Sequence, residues 1–331
     1  MRAVIYGAGA IGGAVGGYLA LAGNDVILIG RPGHVDTINK HGLKFVTPAG
    51  THTLHLPAVA DPDQINFGAD DVVLLCVKSQ DTDETIHALR AVTEDIPVFC
   101  LQNGVRNEEI AFRYFPRTYG ARVSVGGIFL TNGEVVSDSS PPGFLIIGRY
   151  PTGVDSLVEA VATSLRAAGF SVMVTPDVMP YKWGKLMRNL GNAVGAITDA
   201  TGDDNNRIAE AARQEAREVL AQAGINWTWV VAEEAVPKQP ERPAQQRNNK
   251  DVEAKMRPRR AQNSTWQSLA RQQGTVETEF LNGEIVRLAK KLGLQAPINE
   301  ALVHITQQMA TKRELPGKYT PSELLKLVGL D

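Results

Sequence analysis

Short apolar runs alternate with stretches of helical periodicity along the first half of the chain. Residues 3–6, 25–30, 71–77 and 97–101 are mainly apolar runs that end at glycine, basic or amide residues. Runs that are apolar on both faces are typical of a parallel sheet covered by helices on both sides. Between the first two runs, apolar residues recur at helical spacing. The pattern predicts an α/β domain with a parallel sheet over residues 1–175.

Two hairpins and one further strand are predicted within this domain. Residues 43–56 form two strand-like halves around a Pro-Ala-Gly turn, which indicates the first hairpin. Residues 135–136 and 144–147, with Pro-Pro-Gly between them, indicate a second hairpin. Residues 171–174 are expected to form the last strand.

Beyond residue 176 the strand patterns stop, and helical spacing predicts an all-α domain over residues 176–331. One apolar face is expected on a single helix and consists of Trp183, Leu186, Met187, Leu190, Val194 and Ile197. Lys185, Asn189 and Asn192 fall on the opposite face of that helix. Since this helix is predicted to be buried, its polar side chains need hydrogen-bonding or charged partners, and a polar ligand is the simplest partner. An exposed polar stripe is the alternative.

Two later helices are also predicted. A long helix is expected from Val276, with Thr275 as N-cap, Glu277 in its first turn, and a buried face of Leu281, Ile285, Leu288 and Leu292. Residues 320–323 read Thr-Pro-Ser-Glu, a capping box that opens the last helix.

A glycine-rich turn follows the first predicted strand and comprises Gly7, Ala8, Gly9, Ala10, Ile11 and Gly12. In such a turn the first glycine allows the tight bend, the second lets a pyrophosphate approach the backbone, and the third lets the helix pack on the strand. The helix N-terminus then favours phosphate binding. The turn predicts a dinucleotide site, with a glycine-rich turn in a nucleotide-free fold as the alternative.

The residues that end the predicted strands indicate which dinucleotide is bound. NAD enzymes usually carry a carboxylate after the second strand, whereas this chain carries Arg31, which can pair with a 2′-phosphate. NADP(H) is therefore favoured, with Arg31 as a solvated loop cation the alternative. Lys78 and Asn103 follow two later strands, at the edge of the sheet where ligands bind in such folds, so we expect them to contact cofactor or substrate.

The composition of the chain argues against several classes of protein function. The 331 residues carry a net charge of −2, which disfavours nucleic-acid or membrane binding driven by overall charge. Two cysteines and no Cys/His cluster predict neither a disulfide scaffold nor a metal site. Seven glycines interrupt the uncharged residues 3–24, which argues against a signal peptide or membrane span and for a cytoplasmic protein. The basic residues 237–260 predict a flexible loop or a frayed helix.

Taken together, an ordered set of motifs resembles the ketopantoate reductases (2-dehydropantoate 2-reductases) over essentially the whole chain. The set comprises the glycine-rich turn, Val77-Lys78, Gln102-Asn103-Gly104, Lys182-Trp183-Gly184-Lys185-Leu186 with Asn189 and Asn192, Ser264-Thr265-Trp266-Gln267, and Glu277 before Leu281-Asn282-Gly283. The resemblance implies a Rossmann domain joined to an all-α domain like the C-terminal domain of 6-phosphogluconate dehydrogenase. It also implies NADPH as cofactor and ketopantoate, a small 2-oxo acid, as substrate. The oligomeric state stays open, a homodimer being one option.

The resemblance further implies a role for each matching residue. Lys185 looks like the general acid, Glu277 like the carboxylate beside it, and Asn103 like the residue that meets both nicotinamide and substrate. Lys78 and Arg31 look like cofactor contacts. The residues that look like substrate contacts are Asn189, Asn192, and Ser264 or Thr265.

The chain departs from the family pattern at two places, and other interpretations stay open. Residues 237–260 form a longer and more polar segment than the resemblance leads us to expect. Trp266 and Leu269 stand where many members have Met and Asp, so a different 2-oxo acid or carbonyl substrate is an alternative. A non-catalytic NADPH-sensing protein is another. Tyr181 and Lys185 satisfy the YxxxK motif of short-chain dehydrogenases, but the glycine-rich turn and the helical C-terminal half do not fit that class. A β-hydroxyacid dehydrogenase would usually carry an acidic residue after the second strand.

Overall fold

The computed structural model describes residues 1–230 and 263–330, which divide into two compact units. One holds Met1–Tyr181 and the other combines Lys182–Trp229 with the described residues from 263 onward. The sequence placed the division at residues 175–176. The basic residues 237–260 lie outside the described residues.

The strands of the first unit are β1 (Arg2–Tyr6), β2 (Asp25–Ile29), β3 (Leu43–Thr47), β4 (Gly50–Leu54), β5 (Ala58–Val59), β6 (Asp71–Leu75), β7 (Val98–Cys100), β8 (Thr118–Val125), β9 (Glu134–Val136), β10 (Gly143–Arg149) and β11 (Ser171–Val174). Its helices are α1 (Ala10–Leu21), α2 (Pro32–His41), α3 (Thr82–Val92), α4 (Asn107–Phe112) and α5 (Ser156–Ala167), with 3₁₀ turns at Pro62–Gln64 and Ser79–Asp81.

An eight-stranded sheet in the order β11-β10-β8-β7-β6-β1-β2-β5 forms the centre of this unit. Its strands are parallel except where β8 meets β10. Ala3 and Ile5 face a cluster that includes residues of α1 and α5, whereas Val4 faces a cluster that includes residues of α3 and α4. Both faces of the sheet are therefore covered, as the apolar runs predicted, and the Rossmann-type fold is confirmed.

A small sheet in the order β4-β3-β9 packs beside α1. The predicted first hairpin is confirmed, with Leu43 opposite Leu54. The predicted second hairpin is wrong, because β9 pairs with β3 in the small sheet while β10 pairs with β8 in the large one. β8 was not predicted, since Gly120 and Arg122 interrupt its apolar pattern. Arg122 is nevertheless buried, and its guanidinium lies 4.2 Å from the ring centre of Phe144 on β10.

The second unit is helical, and this part of the fold class is confirmed as well. Its elements are α6 (Met179–Asn189), which begins just before the division, α7 (Asn192–Thr198), α8 (Asp203–Gln222), α9 (Ser264–Ala270), a 3₁₀ turn at Glu277–Phe280, α10 (Asn282–Leu292), α11 (Pro297–Thr311) and α12 (Pro321–Leu327). The predicted capping box is present, since Thr320 Oγ1 accepts from the Glu323 amide and Glu323 Oε2 accepts from the Thr320 amide.

The single helix predicted over 183–197 is two helices. α6 ends at Asn189 and α7 begins at Asn192, so Asn192 does not share a helix with Lys185. The buried side chain of Asn282 donates to the carbonyl of Leu190 at 3.0 Å, and this bond takes up an acceptor that a continuous helix would use.

The helix predicted from Val276 begins later than expected. Glu277 opens a 3₁₀ turn, and α10 starts only at Asn282. Val276, not Thr275, precedes the turn in an extended conformation, and no side chain caps it. Leu292 is 40% exposed rather than buried, because it is the last residue of α10.

None of the helices among the described residues is both long and apolar enough to cross a membrane.

Candidate functional site

The glycine-rich turn joins β1 to α1 in a shape that excludes larger residues at two positions. Gly7 adopts a φ of +107°, which L side chains rarely adopt. The amides of Gly7 and Ala8 both donate to the carbonyl of Ile29, at 3.0 and 2.9 Å. A Cβ atom on Gly12 would lie 2.2 Å from the carbonyl oxygen of Gly7. Helix α1 can therefore begin this close to β1 only with glycine at both sites.

Gly9 faces open space at the N-terminus of α1. It is the N-cap residue, it has an extended conformation, and no atom lies within 4 Å of the place where its Cβ would be. No side chain caps the helix, so the amides of its first turn are not used by a capping group. Uncapped amides at the positive end of a 12-residue helix fit the diphosphate of a dinucleotide.

Arg31 follows β2 and serves as the N-cap of α2, with an extended backbone and an exposed side chain. The chain continues as Pro32-Gly33, so no carboxylate stands directly after this strand. Within the described parts of the chain, no carboxylate forms an ion pair with Arg31. The guanidinium is therefore accessible to an anionic ligand at the end of β2.

Lys78 and Asn103 lie on the loops that follow β6 and β7, two neighbouring strands. The backbone carbonyl of Asn103 accepts hydrogen bonds from Ser79 Oγ at 2.9 Å and from Asn107 Nδ2 at 2.6 Å. The Ser79 bond joins the two loops and brings the segments of Lys78 and Asn103 side by side at the carboxyl end of the sheet, whereas the Asn107 bond holds the Asn103 carbonyl from its own segment.

Sequence reasoning missed the buried polar network that supports Asn103. Gln102 Nε2 donates to Thr82 Oγ1 at 2.7 Å, and Thr82 Oγ1 donates to Asn107 Oδ1 at 2.8 Å. A signal was present, because Asn107 falls one helical turn beyond Asn103 and both follow a buried strand. We infer that the network fixes the loop conformation that presents Asn103.

Lys185 and Asn189 lie on α6 at positions i and i+4, so they share one face of the helix. Lys185 is half-buried and Asn189 is buried. Asn192 opens α7, and its backbone carbonyl accepts from Asn263 Nδ2 at 3.0 Å. Asn192 thus contacts the start of α9 rather than continuing the stripe of Lys185.

Ser264 and Thr265 form the first turn of α9, where Asn263 Oδ1 caps the helix by accepting from the Trp266 amide. Thr265 is 2% exposed, and its Oγ1 has no hydrogen-bond partner among the residues described here. Since Asn263 also holds Asn192, the structure brings together three of the predicted substrate contacts: Asn192, Ser264 and Thr265.

Glu277 is buried in the 3₁₀ turn before α10. That segment is tied to the end of α6, because Asn282 donates to Leu190 O. Asn282 Nδ2 also lies 3.0 Å from Asn299 Oδ1, which extends the buried network into α11. The fold therefore fixes the segment carrying Glu277 against the helix that carries Lys185.

The two side chains Trp266 and Leu269, which depart from the family pattern, take structural positions in the helical unit. Trp266 Nε1 donates to Asp199 Oδ1 at 2.8 Å, and its ring packs against the hydrophobic core of this unit. Leu269 is buried in the same core.

The predicted site residues fall in both units. Arg31, Lys78, Asn103 and the turn lie in the first, and Lys185, Asn189, Asn192, Ser264, Thr265 and Glu277 lie in the second.

Among the described residues, no group of three or more His, Cys, Asp or Glu side chains is placed to bind a metal ion. Burial raises the pKa of the Cys76 thiol to about 12, so this cysteine is a poor nucleophile at neutral pH.

Comparison with known proteins identifies relatives over nearly the whole chain. The family model "Ketopantoate reductase PanE/ApbA" matches residues 3–152, and its C-terminal counterpart matches residues 177–310. The 2-dehydropantoate 2-reductase of Pyrococcus horikoshii is 32% identical over 306 residues, which cover 90% of this chain and 94% of that protein.

Solved structures show the same fold. A PanE/ApbA family ketopantoate reductase from Ralstonia eutropha JMP134 matches with a TM-score of 0.78 and 30% identity, covering 95% of this chain and 99% of that one. D-mandelate dehydrogenase, solved with NADH and anilino(oxo)acetate, also gives a TM-score of 0.78 over 95% of this chain and 99% of its own, but at 21% identity it shares the fold alone. On the evidence of both family models and of the relatives with 30–32% identity, the chain belongs to the ketopantoate reductase family.

Proposed function

We propose that the protein uses NADPH to reduce 2-dehydropantoate (ketopantoate) to pantoate. The observation that carries the proposal is that Lys185 and Asn189 lie on one face of α6, in a chain whose first unit has an uncapped helix N-terminus at the glycine-rich turn. Membership of the ketopantoate reductase family supports the same reaction. The family is dinucleotide-dependent, and the choice of NADPH over NADH is our proposal.

Lys185 supplies the proton in this scheme. When bound, the reduced nicotinamide provides a hydride for the ketone carbon, so negative charge develops on the carbonyl oxygen. The Lys185 ammonium stabilises that charge and donates a proton to the oxygen as general acid. Its half-buried position strengthens the electrostatic effect relative to bulk water.

Glu277 assists Lys185 by favouring the charged form of the amine. The support is that Glu277 is buried in a segment fixed to the end of α6. A buried carboxylate is stable only with a charged or hydrogen-bonding partner, and an ammonium is suited to that purpose.

Amides and hydroxyls bind the substrate carboxylate and hydroxyl in this proposal. Asn189, Asn192, Ser264 and Thr265 supply neutral donors, and Asn103 contacts both substrate and nicotinamide. The buried Oγ1 of Thr265 has no hydrogen-bond partner in the described part of the chain, which supports a ligand at this position, since buried hydroxyls are rarely left without a partner.

Arg31 selects NADPH by pairing with the 2′-phosphate, and Lys78 adds a second cation to the cofactor site. We expect Arg31→Ala to raise the KM for NADPH by about tenfold or more, as the loss of a charge-assisted hydrogen bond would do, and to leave the KM for NADH nearly unchanged. Lys40→Ala, an exposed cation in the last turn of the same helix, is the matched control. A wild-type preference for NADH would contradict this role.

The substrate is tested by following NADPH oxidation at saturating cofactor against a panel of branched 2-oxo acids. We expect the highest kcat/KM for ketopantoate. A different branched 2-oxo acid as best substrate is the second candidate, because Trp266 and Leu269 stand where many members of the family have Met and Asp. NADPH binding without reduction of any panel member would instead support a non-catalytic sensor.

A further inference from the structure

His34 is buried in the first turn of α2, with only 2% of its surface exposed, and the reaction above does not use it. Its Nε2 lies 3.0 Å from the carbonyl oxygen of Ala8 in the glycine-rich turn. Its Nδ1 accepts a hydrogen bond of 2.8 Å from the backbone amide of Gly133. The ring also packs on Phe129, with 4.6 Å between the ring centres.

These two contacts determine the protonation of the ring. A backbone amide can only donate, so Nδ1 must be unprotonated. The proton therefore sits on Nε2, where it is donated to Ala8, and the imidazole is neutral. Burial also lowers the pKa of His34, although the bond to the Ala8 carbonyl acts in the opposite direction.

The bond to Ala8 controls the orientation of one peptide group. The amide of Ala8 donates to Ile29, and its carbonyl accepts from His34, so the residue is held on both sides. The Ala8 carbonyl and the Gly9 N–H belong to the same planar trans peptide and point in opposite directions. Fixing the carbonyl therefore fixes the direction of the Gly9 N–H, at the open N-cap of α1.

We propose that His34 is a positioning residue, whose neutral Nε2–H tautomer holds the Ala8–Gly9 peptide so that the Gly9 amide faces the diphosphate of the dinucleotide. This inference rests on the proposed NADPH dependence. His34 acts through Ala8, and it joins the turn to the loop before β9.

Two variants separate hydrogen bonding from packing. His34→Leu fills a similar volume without either hydrogen bond, whereas His34→Gln keeps one donor for Ala8 and one acceptor for Gly133. We expect His34→Leu to raise the Kd for NADPH about tenfold, the upper end for one hydrogen bond. The kcat at saturating NADPH should stay within about twofold, and His34→Gln should recover most of the affinity.

A second pair of ligands separates positioning from a general structural defect. The probes are 2′-phospho-ADP-ribose, which contains the diphosphate, and adenosine 2′-monophosphate, which does not. His34→Leu should weaken only the first. Equal binding of 2′-phospho-ADP-ribose by wild type and His34→Leu, or equal loss of both ligands, overturns the proposal.

Wild-type controls keep the outcomes distinct. If the wild-type protein does not bind NADPH, the proposed function fails and this inference fails with it. If His34→Leu does not fold, ¹⁵N NMR of the wild-type imidazole decides the question. A protonated Nε2 with unprotonated Nδ1, retained on NADPH binding, supports the proposal, and a protonated Nδ1 overturns it.

Discussion

At the scale of single residues, the three glycines of the turn have separable roles. Gly12 has no space for a Cβ atom, because the carbonyl oxygen of Gly7 would lie 2.2 Å from it, whereas Gly9 has free space around it. Gly12 therefore serves the fold, and Gly9 is available to serve the ligand. A dinucleotide site needs both glycines, but for different physical reasons.

Substituting each glycine by alanine should reveal this difference. We expect Gly12→Ala to destabilise the protein by about 1–3 kcal/mol through overpacking. Gly9→Ala should leave the melting temperature unchanged and weaken NADPH binding, because its Cβ would occupy the space needed by the diphosphate. Calorimetry and NADPH titration measure the two effects. Equal melting temperatures for both variants would contradict the assignment.

The glycine motif could be predicted from the sequence because its residues are contiguous and its context is a strand followed by a helix. The role of His34 could not be predicted from the sequence, since its hydrogen-bond partners Ala8 and Gly133 lie 26 and 99 residues away in the chain. A buried histidine in the first turn of a helix gives no local signal of what its ring contacts.

At the scale of secondary-structure elements, an ion pair fixes the starts of β1 and β6. Arg2 and Asp71 are register partners, and two hydrogen bonds of 2.7 and 2.6 Å join their side chains. Burial alone would raise the pKa of Asp71, but the bonds from Arg2 and the Gly68 amide outweigh it and hold the pKa below the ordinary value of an aspartate.

The lowered pKa of Asp71 makes the free energy of unfolding depend on pH. Because the folded pKa is lower than the unfolded one, the pair stabilises the protein above the unfolded pKa and is lost as the pH falls through the folded pKa. We expect Asp71→Asn to cost about 1–3 kcal/mol at pH 7, and the difference from wild type to shrink in acid. Asp70→Asn, at an exposed neighbour, is the control. Urea unfolding at several pH values measures the difference in free energy of unfolding between wild type and Asp71→Asn. A difference that does not change with pH would count against the ion pair.

The break between α6 and α7 depends on Asn282, which is fully buried. Replacing Asn282 with alanine leaves the Leu190 carbonyl and Asn299 Oδ1 without this donor. We expect the free energy of unfolding to fall by about 1–3 kcal/mol for each of these groups.

The control is Asn206→Ala, on the exposed side of α8, which should have little effect on the free energy of unfolding. All four tryptophans lie in the second unit, so their fluorescence during urea unfolding reports on it directly. An Asn282→Ala transition at the wild-type urea concentration would refute this account of the break.

The sequence predicted most of the strands and helices because apolar periodicity is a local signal. It did not predict the helix break, since Asn282 lies 92 residues from Leu190. It also missed β8, where a buried arginine and a glycine interrupt the strand pattern. The false second hairpin arose in the same way, because strands that are neighbours in the chain paired with different partners.

At the scale of the whole molecule, the order of the motifs carried the prediction further than any one of them. A glycine-rich turn, a lysine with asparagine one turn later, and a glutamate shortly before Leu-Asn-Gly are each common, but together they resembled one family, and the comparisons confirm it. The substrate pocket could not be predicted to the same depth, because Trp266 and Leu269 replace family residues and their positions depend on the packing of the helical unit.

The central claim is that Lys185 donates the proton during reduction, and single-turnover NADPH oxidation with ketopantoate tests it most directly. For Lys185→Ala we predict a rate at least about 10²-fold below wild type, as expected for loss of a general acid, with an unchanged Kd for NADPH. Arg188→Ala, an exposed cation on the same helix, should react at the wild-type rate. A Lys185→Ala rate within a few-fold of wild type would contradict the account.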